Sequence, residues 1–146
     1  MRATAKALKQ FVGGFGLPAY TVQSVPKDVQ APYLTYPLNE PEWNQKATFY
    51  IQGWYRATSN AELAAKADQI ISEIGTGITI STDSGYLVIY PESPLVQLIV
   101  DGDYRSFYIN LSINAFQMPG AYPETPTQSA TQEPGTTIPE EGENNG

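Results

Sequence analysis

From Thr48 to Arg56 the chain alternates with a period of two. Phe49, Ile51 and Tyr55 fall on one side, and Thr48, Gln52 and Arg56 on the other. That period, in aromatic and β-branched residues, predicts a half-buried strand. The period then changes. Leu63, Ala67, Ile70, Ile71 and Ile74 recur at helical spacing, a stripe about 100° wide on an α-helix. Ser59 and Glu62 stand three apart, the spacing of a capping box, so the helix is expected to start at Ser59. Gly75 supplies the residue that ends it. A helix with one apolar stripe must lie on an apolar sheet, and the rest of the chain offers the strands.

Ahead of this unit, Ala3 to Val12 has helix-forming composition, with Leu8, Phe11 and Val12 on one face. Gly13-Gly14-Phe15-Gly16 reads as a flexible helix end. As a phosphate loop it lacks the Lys-Ser/Thr ending, and no strand precedes it. Leu17 to Thr21 reads as extended or turning. Tyr33-Leu34-Thr35-Tyr36, closed by Pro32 and Pro37, is expected at a sheet edge, because proline cannot donate to a ladder. Leu38 to Lys46 is a polar loop in which Trp43 is either a partner anchor or an aromatic folded back on the domain. After the helix, Gly77–Ser81 and Tyr86–Tyr90 form a hairpin about Thr82-Asp83-Ser84-Gly85. Pro91-Glu92-Ser93-Pro94 is expected to break the chain. Leu95 to Val100, nearly all apolar, reads as a central strand. Asp101-Gly102-Asp103 turns into the longest strand, Tyr104 to Phe116. There Phe107, Ile109, Leu111, Ile113 and Ala115 share a face opposite Tyr108, Asn110, Ser112 and Asn114.

Composition changes this picture in two places. The net charge of −7 is uneven: residues 1–118 hold all eight basic and ten acidic residues, whereas five glutamates and no base follow Pro119. Pro123, Pro126, Pro134 and Pro139 punctuate that last stretch, whose apolar content is too low to offset the entropy of ordering it. The reading is therefore one folded domain, residues 1–118, and a Pro-rich, acidic, disordered tail, residues 119–146. The chain also has no cysteine and no histidine, the commonest general base. Disulfides, thiolate nucleophiles and Cys/His metal centres are excluded. No signal-peptide h-region or membrane-length apolar run is present, so a soluble, non-exported protein is expected. No basic cluster suggests sequence-specific nucleic-acid binding.

Catalytic chemistry has little to work with. No nucleophile elbow, Walker motif or dinucleotide fingerprint occurs, and Glu62, Asp68 and Glu73 are spaced as a solvated helix face. Asp101 and Asp103 could hold a divalent cation, but a hairpin turn asks for Asp and Gly in its own right. The expectation is a non-enzyme without cofactor or metal. What the chain has in surplus is aromatics: ten tyrosines, five phenylalanines and two tryptophans. Tyr50, Trp54, Tyr108 and Phe116 lie on the strand face opposite the core residues, where aromatics are enriched at protein–protein interfaces.

The order of these pieces resembles the tail terminator (tail completion) proteins of long-tailed bacteriophages, often called minor capsid or minor structural proteins. An amphipathic helix is followed by Ala31-Pro32-Tyr33-Leu34-Thr35-Tyr36-Pro37, then Ile51-Gln52-Gly53-Trp54-Tyr55-Arg56. The helix with Ala67-Asp68-Gln69-Ile70 comes next, and Tyr108-Ile109-Asn110-Leu111-Ser112-Ile113 closes the pattern. The resemblance covers residues 1–118. It implies an α+β fold in two layers, a twisted, mostly antiparallel sheet with helices packed on one face. It also implies a virion protein at the head–tail junction, assembled in the bacterial host cytoplasm. A homohexameric ring would cap the tail tube protein and receive the head completion or connector protein. Such a ring needs a heterologous interface. Trp43, the Pro91, Glu92, Ser93 and Pro94 connection, Tyr50 and Trp54 are its candidate contacts. The competing readings are another head–tail joining protein (a stopper or adaptor), a stand-alone protein-binding module, and a small enzyme using carboxylates alone.

Overall fold

The computed structural model describes residues 1–117; the expected disordered tail lies outside the described residues. Two helices, α1 (Arg2–Gly13) and α2 (Ala61–Ile74), accompany six strands. The strands are β1 (Ala19–Thr21), β2 (Tyr33–Tyr36), β3 (Lys46–Tyr55), β4 (Ile78–Thr82), β5 (Gly85–Asp101) and β6 (Tyr104–Gln117). They form one curled sheet in the order β1-β2-β3-β6-β5-β4. Only the β1–β2 pairing is parallel. The fold is α+β, with both helices on one face.

The core lies where the period-two and helical patterns meet. Phe49 and Ile51 of β3, Phe107, Ile109, Leu111 and Ile113 of β6, and Leu87 and Ile89 of β5 are buried. Leu63, Ala67, Ile70 and Ile74 of α2 and Ala7, Leu8 and Val12 of α1 close over them. The long β3–β6 ladder, Lys46↔Asn114 through Tyr55↔Arg105, sets the register. Because the side-chain period is two, that register places every core residue of both strands on the helix side. Near its Tyr55 end Gly53 faces Phe107, and the absence of a β-carbon there makes room for the ring.

Several local expectations are corrected. The capping box at Ser59 does not form: α2 begins at Ala61, its N-cap is Asn60, and no side chain caps it. Instead the Arg105 guanidinium donates to Asn60 Oδ1 (2.9 Å) and to the Ala57 carbonyl (3.0 Å). A charged donor from β6 thus takes the oxygen a cap would use. The glycine run after α1 is an ordered cap, not a flexible end. The Gly14 amide donates to the carbonyls of Gln10 and Phe11, and Phe15 is buried against the core. β2 is not an edge strand, since β1 lies outside it. Pro32 and Pro37 flank the four paired residues, so no ladder donor is lost.

The last corrections concern β5. Pro91-Glu92-Ser93-Pro94 does not end the strand. β5 runs through it with a register shift between Pro91 and Val96, a bulge-like irregularity. Leu95–Val100 is consequently not central. β4 pairs only with Gly85–Ile89, so among the described strands the second half of β5 is bonded to β6 on one side alone. Asp101-Gly102-Asp103 makes the β5–β6 turn, with Gly102 at φ +61°, a conformation that favours glycine.

Candidate functional site

Two surfaces stand out, and neither is a cleft. The first is the sheet face away from the helices. Trp54 of β3 stacks on Tyr33 of β2 (centroids 6.3 Å, planes 17° apart), and Tyr20 of β1 meets Tyr33 edge-on. On the other side Tyr104 of β6 stands edge-on to Trp54, with the Arg56 guanidinium 5.2 Å from the Tyr104 centroid. A second row pairs Tyr50 with Tyr108, stacked at 4.5 Å, and a third pairs Tyr86 with Phe116 at 5.2 Å. These rings meet because alternate residues of neighbouring strands point the same way. The Trp54 indole N–H donates to Thr35 Oγ1 (3.0 Å), so its polar handle is satisfied inside the chain.

Most of these rings are half-buried, lying against one another, and among the described residues no helix lies above them. Burial raises the Tyr108 phenol above its ordinary value, and the neighbouring Tyr50 adds to the shift. Burial raises Tyr33 as well, with Tyr104 contributing. Both stay neutral at physiological pH. Arg56 is the one cation in ring contact among the described residues, and the other charges on this face, Lys46 and Glu92, neutralise each other in an ion pair. Such an aromatic face is suited to docking against another protein surface.

The second surface is the free margin of β5. Val96, Leu98, Ile99 and Val100 are 39%, 47%, 39% and 65% exposed, the densest group of exposed apolar residues in the described chain. None of them is among the candidate contacts, because a stretch as apolar as Leu95–Val100 predicts a buried central strand. The signal that could have found them is the Pro91 and Pro94 pair. Proline within a strand points to an edge or a bulge.

The remaining candidates scatter. Trp43 is 40% exposed on the β2–β3 loop, where its neighbour Asn44 donates to the Ala115 carbonyl. An open hollow of about 620 Å³ beside it is lined by Met1, Glu40, Pro41 and Glu42. Tyr50 and Trp54 lie on the aromatic face. On the β3–β6 ladder Lys46 pairs with Asn114 and Trp54 with Ser106, so Trp43 and Trp54 sit at opposite ends of the sheet. Pro91, Glu92, Ser93 and Pro94 form the bulge midway along β5. The seven candidates therefore do not make one patch.

Glu92 holds that bulge. Its carboxylate accepts hydrogen bonds from the Ser112 hydroxyl and from Lys46 Nζ (3.2 Å), while the Asn110 amide donates to the Pro94 carbonyl. Chiefly the Ser112 hydrogen bond, then Lys46, holds the Glu92 carboxyl below its ordinary value of 4.5. A lowered pKa in the fold means that the stabilisation is present above the unfolded value and fades as pH falls through the folded one. Glu92→Gln is thus expected to melt below the wild type at pH 7. The gap should narrow as pH drops below about 4.5. Paired melting curves across pH check this; a gap that holds constant with pH would assign the loss to shape and not to charge.

No family model matches the chain, and no curated protein sequence matches it. Solved structures share its fold. One superposes with a TM-score of 0.53 at 14% identity, covering 84% of this chain and 94% of its own. That protein is known by a serial label that names no activity, and at such identity the likeness bears on fold alone. The chain thus has the curled α+β architecture of a solved protein.

Proposed function

We propose that the protein is a non-enzymatic component of a bacteriophage virion, which caps the finished tail tube as a ring and seats the head connector. The observation that carries this reading is the aromatic face, which no helix covers among the described residues. Both helices lie on one side of the sheet, and the other side offers stacked, neutral rings to a partner. The resemblance of residues 1–118 to tail terminators supplies the identity of that partner. A joining protein works through matched surfaces, and aromatic side chains at the centre of an interface contribute most of its binding energy.

The test is cosedimentation with purified tail tubes followed by imaging of the tube ends. The expected outcome is a six-fold cap, about 96 kDa of protein per end, six times the 16.0 kDa chain mass. Tyr50→Ala with Trp54→Ala should abolish capping while the circular dichroism stays native. Tubes that remain bare at saturating protein would turn the assignment toward a stopper, an adaptor or a cellular binding module.

A further inference from the structure

Along the open margin of β5, Val96 and Val100 stand symmetrically about Leu98, so the apolar residues at every second position match when the segment is reversed, while Gln97 comes opposite Ile99 and Leu95 opposite Asp101. We infer that two copies of the chain pair there, antiparallel, about a two-fold axis through Leu98, and join their sheets into one. In that register Leu98 meets Leu98 of the other copy, Val96 meets Val100, and Gln97 meets Ile99.

Four observations favour a second copy as the occupant. Val96, Leu98 and Val100 stand opposite Ile109, Phe107 and Arg105 of β6, so all three lie on the helix-side face. A two-fold axis perpendicular to the sheet keeps faces together, so the six side chains of the pair form one apolar row. Asp101, the only charge in the segment, meets Leu95. The two Asp101 carboxylates then lie six residues apart along the seam, about 20 Å, beyond the screening length at physiological salt. Left bare, a six-residue uncharged stretch of high β-propensity is an aggregation hazard, and two-fold pairing closes it without propagating.

Other occupants fit less well. β1 and β4, the outer strands of the sheet, offer three and five residues, and α1 lies against both. The segment from 118 to 146 follows Gln117, which pairs with Gly85 at the far end of β5. It is rich in proline and glutamate, and proline supplies no ladder donor.

This pairing concerns the protein off the tail tube and does not rest on the proposed role. The chain has no native cysteine, so a single introduced thiol reports the register directly. Leu98→Cys places two thiols on facing residues, where antiparallel Cα separations of about 4.5–5.5 Å fall inside the disulfide range. Val96→Cys places its thiols four residues apart, about 14 Å, outside that range. Under mild oxidation Leu98→Cys is expected to give a disulfide-linked species of about 32 kDa, twice the 16.0 kDa chain, at least about tenfold faster than Val96→Cys. In sizing with light scattering, the wild type should approach about 32 kDa as concentration rises, while Leu98→Lys stays at 16.0 kDa. Equal cross-linking of the two cysteine variants overturns the register. A wild type monomeric at every concentration overturns the pairing. So does a free ring of about 96 kDa, six chains of 16.0 kDa, a result that would at the same time support the tail-cap role.

Discussion

Gly53→Ala is expected to destabilise the fold by about 1–3 kcal/mol, the range for overpacking a filled core, and to fall near the top of it. A β-carbon at Gly53 would lie 2.2 Å and 2.3 Å from two carbons of the Phe107 ring. That ring is fully buried, so it cannot swing into solvent. It can only push on its surroundings, which include Tyr55, whose ring centroid lies 6.4 Å away. The β3–β6 ladder pins both backbones at this point, so the strands cannot part without losing hydrogen bonds on either side. The diagnostic is the double variant. Phe107→Leu removes the colliding ring end and leaves a cavity of its own, so Gly53→Ala should cost much less in the Phe107→Leu background than alone. Residues in contact are expected to be non-additive in this way. Urea denaturation of the four proteins measures the coupling. If the two costs simply add, the Phe107 ring does not occupy the space over Gly53.

This contact also shows what the sequence could and could not disclose. The alternation of β6 and the stripe of α2 identify the core, and the structure buries Phe107, Ile109, Leu111, Ile113, Leu63 and Ile70 as those patterns require. Period-two and helical signals are local and survive without knowledge of partners. Partner choice is not local. Nothing near Tyr33 announces that a three-residue strand, Ala19–Thr21, will pair outside it in parallel. Nothing near Asn60 announces that Arg105, forty-five residues later, will take its side-chain oxygen in place of a cap.

The largest misreading, Leu95–Val100 as a central strand, has the same origin. Apolar character tells how much a strand would gain from burial, and not whether a neighbour exists to bury it. β4 is only five residues long and is used up on Gly85–Ile89, so among the described strands the rest of β5 has no neighbour on the side away from β6. Of the candidate contacts, Tyr50 and Trp54 were legible because the period-two rule puts them opposite the core. Trp43 and the Pro91–Pro94 bulge are candidates by loop position alone, and loop position says nothing of which end of a sheet a residue will reach.

Leu8→Ala is expected to cost about 2–5 kcal/mol, the range for truncating a buried leucine, and to release the margins of the sheet before its centre. α1 touches both β1 and β4, the two outermost strands. The sheet curls far enough that one helix spans the gap between its margins, and Leu8 is the fully buried side chain near the middle of that helix. A helix of twelve residues without a side-chain cap is marginal by itself. Its start is tied to the Glu40 carboxylate, which accepts from the Thr4 hydroxyl and pairs with the Met1 amino group, and its packing must supply the rest. Losing Leu8 therefore weakens the clasp on two strands that have a partner on one side only. Amide exchange should rise first in α1, Ala19–Thr21 and Ile78–Thr82, while β3 and β6, paired on both sides and covered by α2, keep their protection. Sub-global opening of this kind appears as exchange that varies by segment. If every amide instead loses protection by the same factor, α1 belongs to one cooperative unit with the central ladder, and the curl of the sheet is fixed by the strands and not by the helix that spans it.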